Sequence, residues 1–373
     1  MANEDKATRY HRLRRRASFA GTALTAAWLL SLLMTGWSTS VRDVSAALAG
    51  GSFALTVVCY AVMIGLLSEA IQLPLAFYQG VILERRYELS TQTTWRWCLD
   101  QLKAGAVALV FGIIGALIVW LLLHWTPQWW WLAAALCFAS LMVVLAQLAP
   151  VVLLPVFYTF RPLDRPALVD RLVVLAERAG ARVLGVFEWR LSDRTRKANA
   201  ALTGIGRTRR ILLSDTLLAG HSDDEIEVVL AHELAHHVHH DIWKGMALEA
   251  SLMTLGFYLA DRVLTAAVGH FGIAAKDDVA GLPVLVLAGG AVSLALLPLA
   301  NAVSRAHERR ADRYALEMTK NAAAFSSAMK RLGAQNLAEE RPSRLVEILF
   351  YSHPPIAARL EAARAWQSGE ADR

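Results

Sequence analysis

The sequence predicts a mainly α-helical, multi-pass membrane protein that also contains a smaller α/β segment. The chain is 55% hydrophobic and 19% charged, whereas soluble domains average about 45–50% apolar and about 25% charged residues. Several nearly uncharged runs are long enough to cross a bilayer as helices. One stretch, residues 161–243, instead mixes short apolar segments with turn residues and charges. We therefore expect about six transmembrane helices and one globular unit beside the membrane.

Charge and cysteine content narrow the class further. The net charge is +6, and the segments rich in Lys and Arg are connections that share one side of the expected membrane. We assign this charge to topology and to attraction by anionic lipids, and we expect no nucleic-acid partner. Cys59, Cys98 and Cys137 lie in or beside apolar runs without metal-ligand spacing. A disulfide framework is therefore not expected.

The N-terminal region, residues 1–160, is predicted to contain four spans. The first run, residues 17–37, is longer than the apolar core of a signal peptide and predicts an uncleaved anchor. The second, residues 44–83, is interrupted only by Glu69 and by Pro74, and it predicts one long, tilted helix with a kink. The third covers residues 105–123. The fourth follows a tryptophan cluster at residues 129–131 and continues to about residue 157.

The rest of the chain divides into three parts. Residues 161–243 predict an amphipathic helix at 166–178, a strand at 183–189, a hairpin at 199–214 that turns near Gly204–Arg207, and a second helix. Residues 244–304 contain two further apolar runs, 246–268 and 279–304. The first of these is the weaker candidate for a span because Asp261 and Arg262 lie within it. Residues 305–373 form a polar, helical C-terminal segment.

The distribution of Lys and Arg predicts the orientation. With six crossings, the outer connections are residues 38–52, 125–128 and 269–281, which together carry two basic residues, Arg42 and Lys276. The N-terminus alone carries six, and residues 84–103 carry four. The positive-inside rule therefore places both termini and the α/β segment in the cytoplasm. The compact length and short loops favour a bacterial inner membrane, with the endoplasmic reticulum membrane as the eukaryotic counterpart.

One motif within the α/β segment carries metal chemistry. His232-Glu233-Leu234-Ala235-His236 reads H-E-x-x-H, and Ser222 followed by Glu225 predicts a capping box that begins its helix. Residues four apart share one helix face, so both histidines can bind one zinc ion while Glu233 serves as a base for a water. The alternative is a helix that carries these three residues on a solvated face.

A third ligand is expected after the last apolar run. Neighbouring histidines (His237, His239, His240) could compete for the metal. Some zinc proteases have a Gly three residues and a ligating His six residues after the second histidine, but here these positions are His239 and Ile242. Glu308 and Asp312 are four residues apart on a predicted helix. A carboxylate ligand and a second carboxylate that orients a ligating imidazole suit a catalytic zinc site. The alternative is a charged helix end at the membrane surface.

Further segments complete an ordered series of motifs. They are LERRYELS at 83–90, WCLDQLK at 97–103, KANA at 197–200, TGIG at 203–206, RILLSDTL at 210–217, the two metal-ligand segments, and SHPP at 352–355 followed by Arg359. In this series the chain resembles the CaaX prenyl protease 1 family of integral-membrane zinc metallopeptidases along nearly its whole length. The resemblance implies a gluzincin-type metallopeptidase unit in the cytoplasmic segment.

The resemblance also implies a role for each matching residue. His232, His236 and Glu308 would bind one zinc ion, and Asp312 would orient a ligand. Glu233 would be the general base, His353 would stabilise the oxyanion, and Arg359 would support the cleft. Asn199 and Ala200 would present an edge strand to a polypeptide substrate, lipidated or not. Asn199 as a plain turn residue and His353 as part of a loop before two prolines are the simpler alternatives.

Two departures from the family bear on specificity. The well-known members have seven spans around a large chamber, whereas six are expected here, and Ala201 stands where the eukaryotic proteins have an aromatic residue. A quality-control protease without prenyl specificity is therefore the nearest alternative function. An intramembrane site-2 protease is disfavoured because charges surround the motif. A metal-binding transporter or sensor would have no need of Glu233.

Overall fold

The computed structural model describes residues 5–148, 152–204 and 209–369. Helices make up most of these residues, and one four-stranded sheet lies in the middle of the chain. The predicted fold class, a helical membrane protein with a small α/β unit, is confirmed.

The described part of the N-terminal region consists of helices whose boundaries differ from those of the predicted apolar runs. The second predicted span is wrong in one respect: α2 and α3 are separate helices, because Gly50 and Gly51 adopt left-handed backbone conformations and end α2. A π-helical turn, Tyr78–Leu83, follows Pro74 and joins α3 to α4. The helices are α1 (Lys6–Met34), α2 (Trp37–Leu48), α3 (Phe53–Phe77), α4 (Glu84–Arg86), α5 (Thr94–Trp125), α6 (Trp130–Leu148) and α7 (Leu154–Phe157).

The globular unit is built on a sheet with strand order β1-β2-β4-β3. Strands β2 and β4 are parallel, and the outer pairs are antiparallel. The predicted hairpin is present as β3 and β4, although most of its expected turn lies outside the described residues. Strand β1 was not predicted, since three residues carry no periodicity. The elements are β1 (Phe160–Pro162), α8 (Pro166–Arg178), β2 (Val186–Trp189), β3 (Ala200–Thr203), β4 (Arg210–Ser214), α9 (Asp215–Gly220) and α10 (Asp223–Val238).

The C-terminal part begins with a helical hairpin that returns to the globular unit. Helices α11 and α12 pack side by side, and Leu264 of α11 shares a buried cluster with Val284 of α12 at the distal end. The second half of α12 packs on α10, and α13 and α15 cover the same core. The elements are α11 (Asp241–Ala267), a 3-10 turn (Val279–Gly281), α12 (Leu282–Thr319), α13 (Ala322–Gln335), α14 (Arg344–Phe350) and α15 (Ile356–Ser368).

Five helical segments in the described chain are long and apolar enough to cross a membrane. The expected span at residues 246–268 lies in α11, which is not one of the five. Its Asp261 is fully buried, accepts a hydrogen bond from Trp130 Nε1 at 2.7 Å and pairs with Lys276 Nζ at 2.8 Å. The charge that weakened this span in the sequence is thus neutralised by partners. The five segments are Lys6–Met34, Phe53–Arg86, Thr94–Trp125, Trp130–Leu148 and Val279–Thr319.

Candidate active site

Helix α10 carries the H-E-x-x-H residues, and its start is set by the predicted capping box. Ser222 Oγ accepts the Glu225 N–H at 3.3 Å, and Glu225 Oε2 accepts the Ser222 N–H at 2.8 Å. Behind the motif, Ile226, Leu230 and Leu234 are buried in the core of the globular unit. This packing fixes the rotation of α10, so that the opposite face with the two histidines points towards α12.

The two histidines and Glu308 converge although 72 residues separate His236 from Glu308. His232 Nε2 lies 3.2 Å from Glu308 Oε2, and His236 Nε2 lies 3.3 Å from Glu308 Oε1. One ligand atom of each residue lies within 4.8 Å of the other two. His232 and Glu308 are buried, and His236 is partly buried. The structure therefore brings together the three residues that the sequence proposed as metal ligands.

The outer nitrogen of each imidazole faces a carboxylate. His232 Nδ1 is 2.9 Å from Asp312 Oδ1, and His236 Nδ1 is 3.1 Å from Asp241 Oδ2. Carboxylates accept hydrogen bonds, so each neutral imidazole donates from Nδ1 and keeps its lone pair on Nε2. Both Nε2 lone pairs then face the oxygens of Glu308. Such a group of acceptors requires a cation at its centre.

A buried oxygen supports the same conclusion. Glu308 Oε2 makes no hydrogen bond of acceptable geometry among the described residues, although His353 Nδ1 lies 2.8 Å away. A buried carboxylate oxygen without a partner is costly, and a bound metal ion would satisfy it. Two imidazoles and one carboxylate are also a suitable ligand set for a catalytic metal with an open position. The residues present fit a metal ion.

The electrostatics of the metal-free site are consistent with this preference for positive charge. Burial lowers the pKa of His232, but the carboxylates of Asp312 and Glu308 outweigh burial and raise it to about 9. For His236, burial likewise lowers the pKa, whereas Glu308 and Asp241 raise it above its usual range. The carboxylates around the two imidazoles thus favour positive charge between them. Burial also raises the pKa of Glu233, which makes its carboxylate a stronger base.

Arg359 and Asp312 form a bidentate ion pair behind His232. Arg359 Nε donates to Asp312 Oδ2 at 2.8 Å and Nη2 donates to Oδ1 at 2.5 Å. Nη2 also lies 3.4 Å from His232 Nδ1. Bidentate geometry is typical of strong Arg–carboxylate pairs. Arg359 therefore acts on the site through Asp312.

The remaining predicted residues line a cleft of about 780 Å³ that also contains His232, Glu233 and Glu308. The His353 side chain is 62% exposed and reaches into this cleft. On the opposite wall, Asn199 precedes β3, whose outer side is an edge of the sheet. The Asn199 carbonyl accepts the Ser214 N–H, and Ala200 pairs with Leu213 in β4. Among the described residues, β3 is thus an edge strand of the sheet.

Two residues at the site were missed by the sequence reasoning. These are Asp241, which contacts His236, and Arg310, whose Nη2 donates to Asp241 at 2.8 Å. An acidic residue five positions after the second histidine is the signal that could have found Asp241. Of the competing histidines, His237, His239 and His240 are absent from the metal-competent group found among the described residues. His239 Nδ1 instead contacts the Ala235 carbonyl oxygen.

A second, larger cavity lies among the membrane helices. It has a volume of about 1380 Å³ and is lined by apolar side chains of α3, α5, α6, α11 and α12, with Glu69 and Glu249 as its charged residues. Leu297 of α12 lines both this cavity and the active-site cleft. The two spaces are therefore neighbours.

Sequence comparison agrees with the fold and the site. Residues 162–367 match the profile of peptidase family M48, and residues 2–159 match the profile described as the CAAX prenyl protease N-terminal region with five membrane helices. These matches, together with the His-His-Glu group, define a multi-pass membrane metalloprotease. The chain belongs to peptidase family M48, in the group that contains CAAX prenyl protease 1.

Individual relatives extend over most of the chain. A Bacillus subtilis protein named uncharacterized metalloprotease YhfN is 30% identical over 361 residues, covering 96% of this chain and 84% of that protein. CAAX prenyl protease 1 of Saccharomyces cerevisiae is 29% identical, and the alignment covers 82% of this chain and 71% of the yeast protein. The crystal structure of S. mikatae Ste24p superimposes with a TM-score of 0.86 at 23% identity. The match covers 96% of this chain and 88% of the Ste24p chain. That structure therefore shares the fold.

Proposed function

We propose that this protein is a zinc endopeptidase that hydrolyses peptide bonds in membrane-associated polypeptides, including prenylated CaaX-type substrates. The convergence of His232, His236 and Glu308 beside Glu233 carries the proposal, because it unites a metal-ligand set with a base. We assign the three ligands to one zinc ion per chain, as the His₂Glu set is typical of catalytic zinc. When bound, zinc polarises the scissile carbonyl and lowers the pKa of a water molecule.

Residues of this chain bind the substrate, transfer the proton and stabilise the oxyanion. The substrate pairs in extended form with β3 next to Asn199 and Ala200, which holds the scissile bond in the cleft. Glu233 accepts a proton from the water whose oxygen attacks the carbonyl carbon. It then delivers that proton to the leaving amine as the C–N bond breaks. His353 donates a hydrogen bond to the oxygen that becomes negatively charged, and Asp312 with Arg359 keeps His232 oriented.

We assign the membrane spans and the active-site residues to four consecutive segments of the chain. Residues 1–160 supply four spans, and residues 161–243 supply the base and two ligands. Residues 244–304 cross the membrane twice, and residues 305–373 supply the third ligand and the oxyanion donor. We place the catalytic side in the cytoplasm from the distribution of Lys and Arg, and the protein in a bacterial inner membrane.

Replacement of Glu233 separates a peptidase from a protein that only holds metal. Glu233→Gln should keep about one zinc per chain by elemental analysis and lower peptide cleavage by about 10²–10⁴-fold, since the general base is lost while the ligands remain. Glu227→Gln, on the solvent-exposed side of the same helix where Glu227 pairs with Arg171, is the matched control and should cleave normally. Full activity of Glu233→Gln, or of metal-free protein, would contradict the proposal.

A protease for misfolded membrane proteins would use the same catalytic residues. One observation favours it: Ala201 stands where the eukaryotic members of the family have an aromatic residue. Cleavage rates on a farnesylated CaaX peptide, its unprenylated twin and an unfolded membrane protein decide between the two. We expect the farnesylated peptide to be cleaved fastest. Equal rates on the two peptides, with faster cleavage of the unfolded protein, would favour the quality-control function.

A further inference from the structure

Asp241 is a buried carboxylate that the mechanism above does not use. It is the first residue of α11 and is 5% exposed. Its Oδ2 lies 3.1 Å from His236 Nδ1, and its Oδ1 accepts a hydrogen bond from Arg310 Nη2 at 2.8 Å. The Nδ1 atom of His307 lies 3.8 Å from the same Oδ1. Three basic side chains from two helices therefore surround the Asp241 carboxylate, and one of them, His236, is a proposed metal ligand.

This arrangement repeats the one around the other histidine. His232 contacts Asp312, which in turn pairs with Arg359. His236 contacts Asp241, which in turn pairs with Arg310. In both cases an arginine holds a buried carboxylate, and the carboxylate accepts from the imidazole Nδ1–H. Each imidazole is thereby left with its Nε2 lone pair towards Glu308.

The local backbone explains how Asp241 reaches a histidine only five residues earlier. His240 adopts the left-handed conformation (φ +55°), which ends α10 and reverses the chain into α11. The reversal brings the Asp241 carboxylate back onto the side of α10. Arg310 comes from α12, two residues after Glu308, so this contact also ties α12 to the corner between α10 and α11.

We propose that Asp241 is a positioning residue that fixes the tautomer and orientation of His236 for metal binding, with Arg310 holding Asp241 in place. The inference rests on the proposed zinc site. Loss of a carboxylate that orients a ligating imidazole typically weakens metal binding by about 10–100-fold. The competing role is purely structural, because an acidic residue in the first turn of a helix also stabilises that helix.

Zinc affinity of the purified full-length protein distinguishes the two roles. The protein is stripped of zinc, and its dissociation constant is measured by competition with a chelator for the wild type, Asp241→Asn and Asp241→Ala. We expect Asp241→Ala to bind zinc about 10–100-fold more weakly. Asp241→Asn should bind with intermediate affinity, since its amide oxygen can still accept from Nδ1. Asp224→Asn, an exposed first-turn residue of α10 that pairs with Arg171, is the control and should not change the affinity.

Thermal unfolding of the zinc-free and zinc-loaded forms completes the test. A positioning role predicts that Asp241→Ala mainly reduces the increase in unfolding temperature caused by zinc. If the substitution lowers the unfolding temperature of the zinc-free protein while zinc affinity stays within about twofold of wild type, the inference is wrong. A wild-type protein that binds no zinc would instead overturn the proposed function itself.

Discussion

At the scale of single residues, the preference of the site for a cation follows from the hydrogen-bond acceptors that meet at Glu308. Glu308 faces two imidazole nitrogens and one loop histidine, and its Oε2 atom remains without a hydrogen bond. A cluster of this kind is unfavourable without a cation, and so its geometry favours positive charge between the imidazoles and Glu308. This explains why the pKa of His232 is raised in spite of burial.

His353 provides a prediction at this scale. We expect His353→Gln to lower kcat by about 10²–10³-fold with little change in KM or zinc content, because an oxyanion donor acts mainly in the transition state. Steady-state kinetics on a fluorogenic peptide, together with elemental analysis, measure all three quantities. His270→Gln, in an exposed loop at the distal end of α11, is the control. A large rise in KM at constant kcat would show that His353 only binds substrate.

At the scale of elements, the start of α10 determines where the H-E-x-x-H residues lie. Burial raises the pKa of Glu225, but the Ser327 hydroxyl, the Ser222 N–H and Arg331 lower it more, and the net shift is downward. A carboxyl whose pKa is lower in the folded state stabilises the fold above its unfolded pKa. That contribution is lost as pH falls through the lower, folded pKa.

The capping box therefore gives a pH-dependent prediction. Glu225→Gln in zinc-stripped protein keeps an acceptor for the Ser222 N–H but loses the negative charge beside the helix N-terminus, and it should lower the thermal unfolding midpoint at pH 7 by an amount equivalent to about 0.3–1 kcal/mol. The difference from wild type should begin to shrink as the pH falls below the ordinary pKa of a glutamate, and it should be lost below the lower pKa of the folded state, where the wild-type carboxyl is protonated too. Calorimetry across this pH range measures both midpoints. A difference that stays constant with pH would mean that the charge of Glu225 does not contribute.

The elements also show how much of the fold could be predicted from sequence. Helix α8 follows from the spacing of its apolar residues, and helix α10 follows from such spacing together with its capping box. Strand β1 depends on its pairing with β2, which is not visible in its own three residues. The break between α2 and α3 depends on the left-handed conformations of Gly50 and Gly51, which lie inside one long hydrophobic run. The contact of Asp241 with His236 depends on the reversal at His240, and no periodicity encodes it. Glu308 is predicted as a third ligand from its place after the last apolar run and its spacing to Asp312, and the family resemblance adds to that prediction, but its contact with His232 depends on the packing of α12 on α10.

At the scale of the whole molecule, the metal-ligand group constrains the path through the membrane. Helices α11 and α12 are antiparallel, with Asp241 and Arg310 in contact at the end near the site and Leu264 near Val284 at the other. Helix α12 contains one of the five apolar segments that can cross the bilayer. If α12 crosses, α11 must cross beside it for the chain to return to α10. The polar residues of α11 are compatible with this, because Asp261 is paired internally.

If both helices cross, the connection between α11 and α12 is accessible from outside the cell and α8 is not. In a variant whose three cysteines are replaced by serine, Ala275→Cys lies in the exposed connection between α11 and α12, and Glu177→Cys lies on the exposed side of α8. A membrane-impermeant maleimide should label Ala275→Cys in intact cells and Glu177→Cys only after permeabilisation. The uneven distribution of Lys and Arg gives the physical reason for this orientation. Labelling of both positions from the same side would show that α11 and α12 do not both cross. The reverse pattern would place the metal-ligand group outside the cytoplasm.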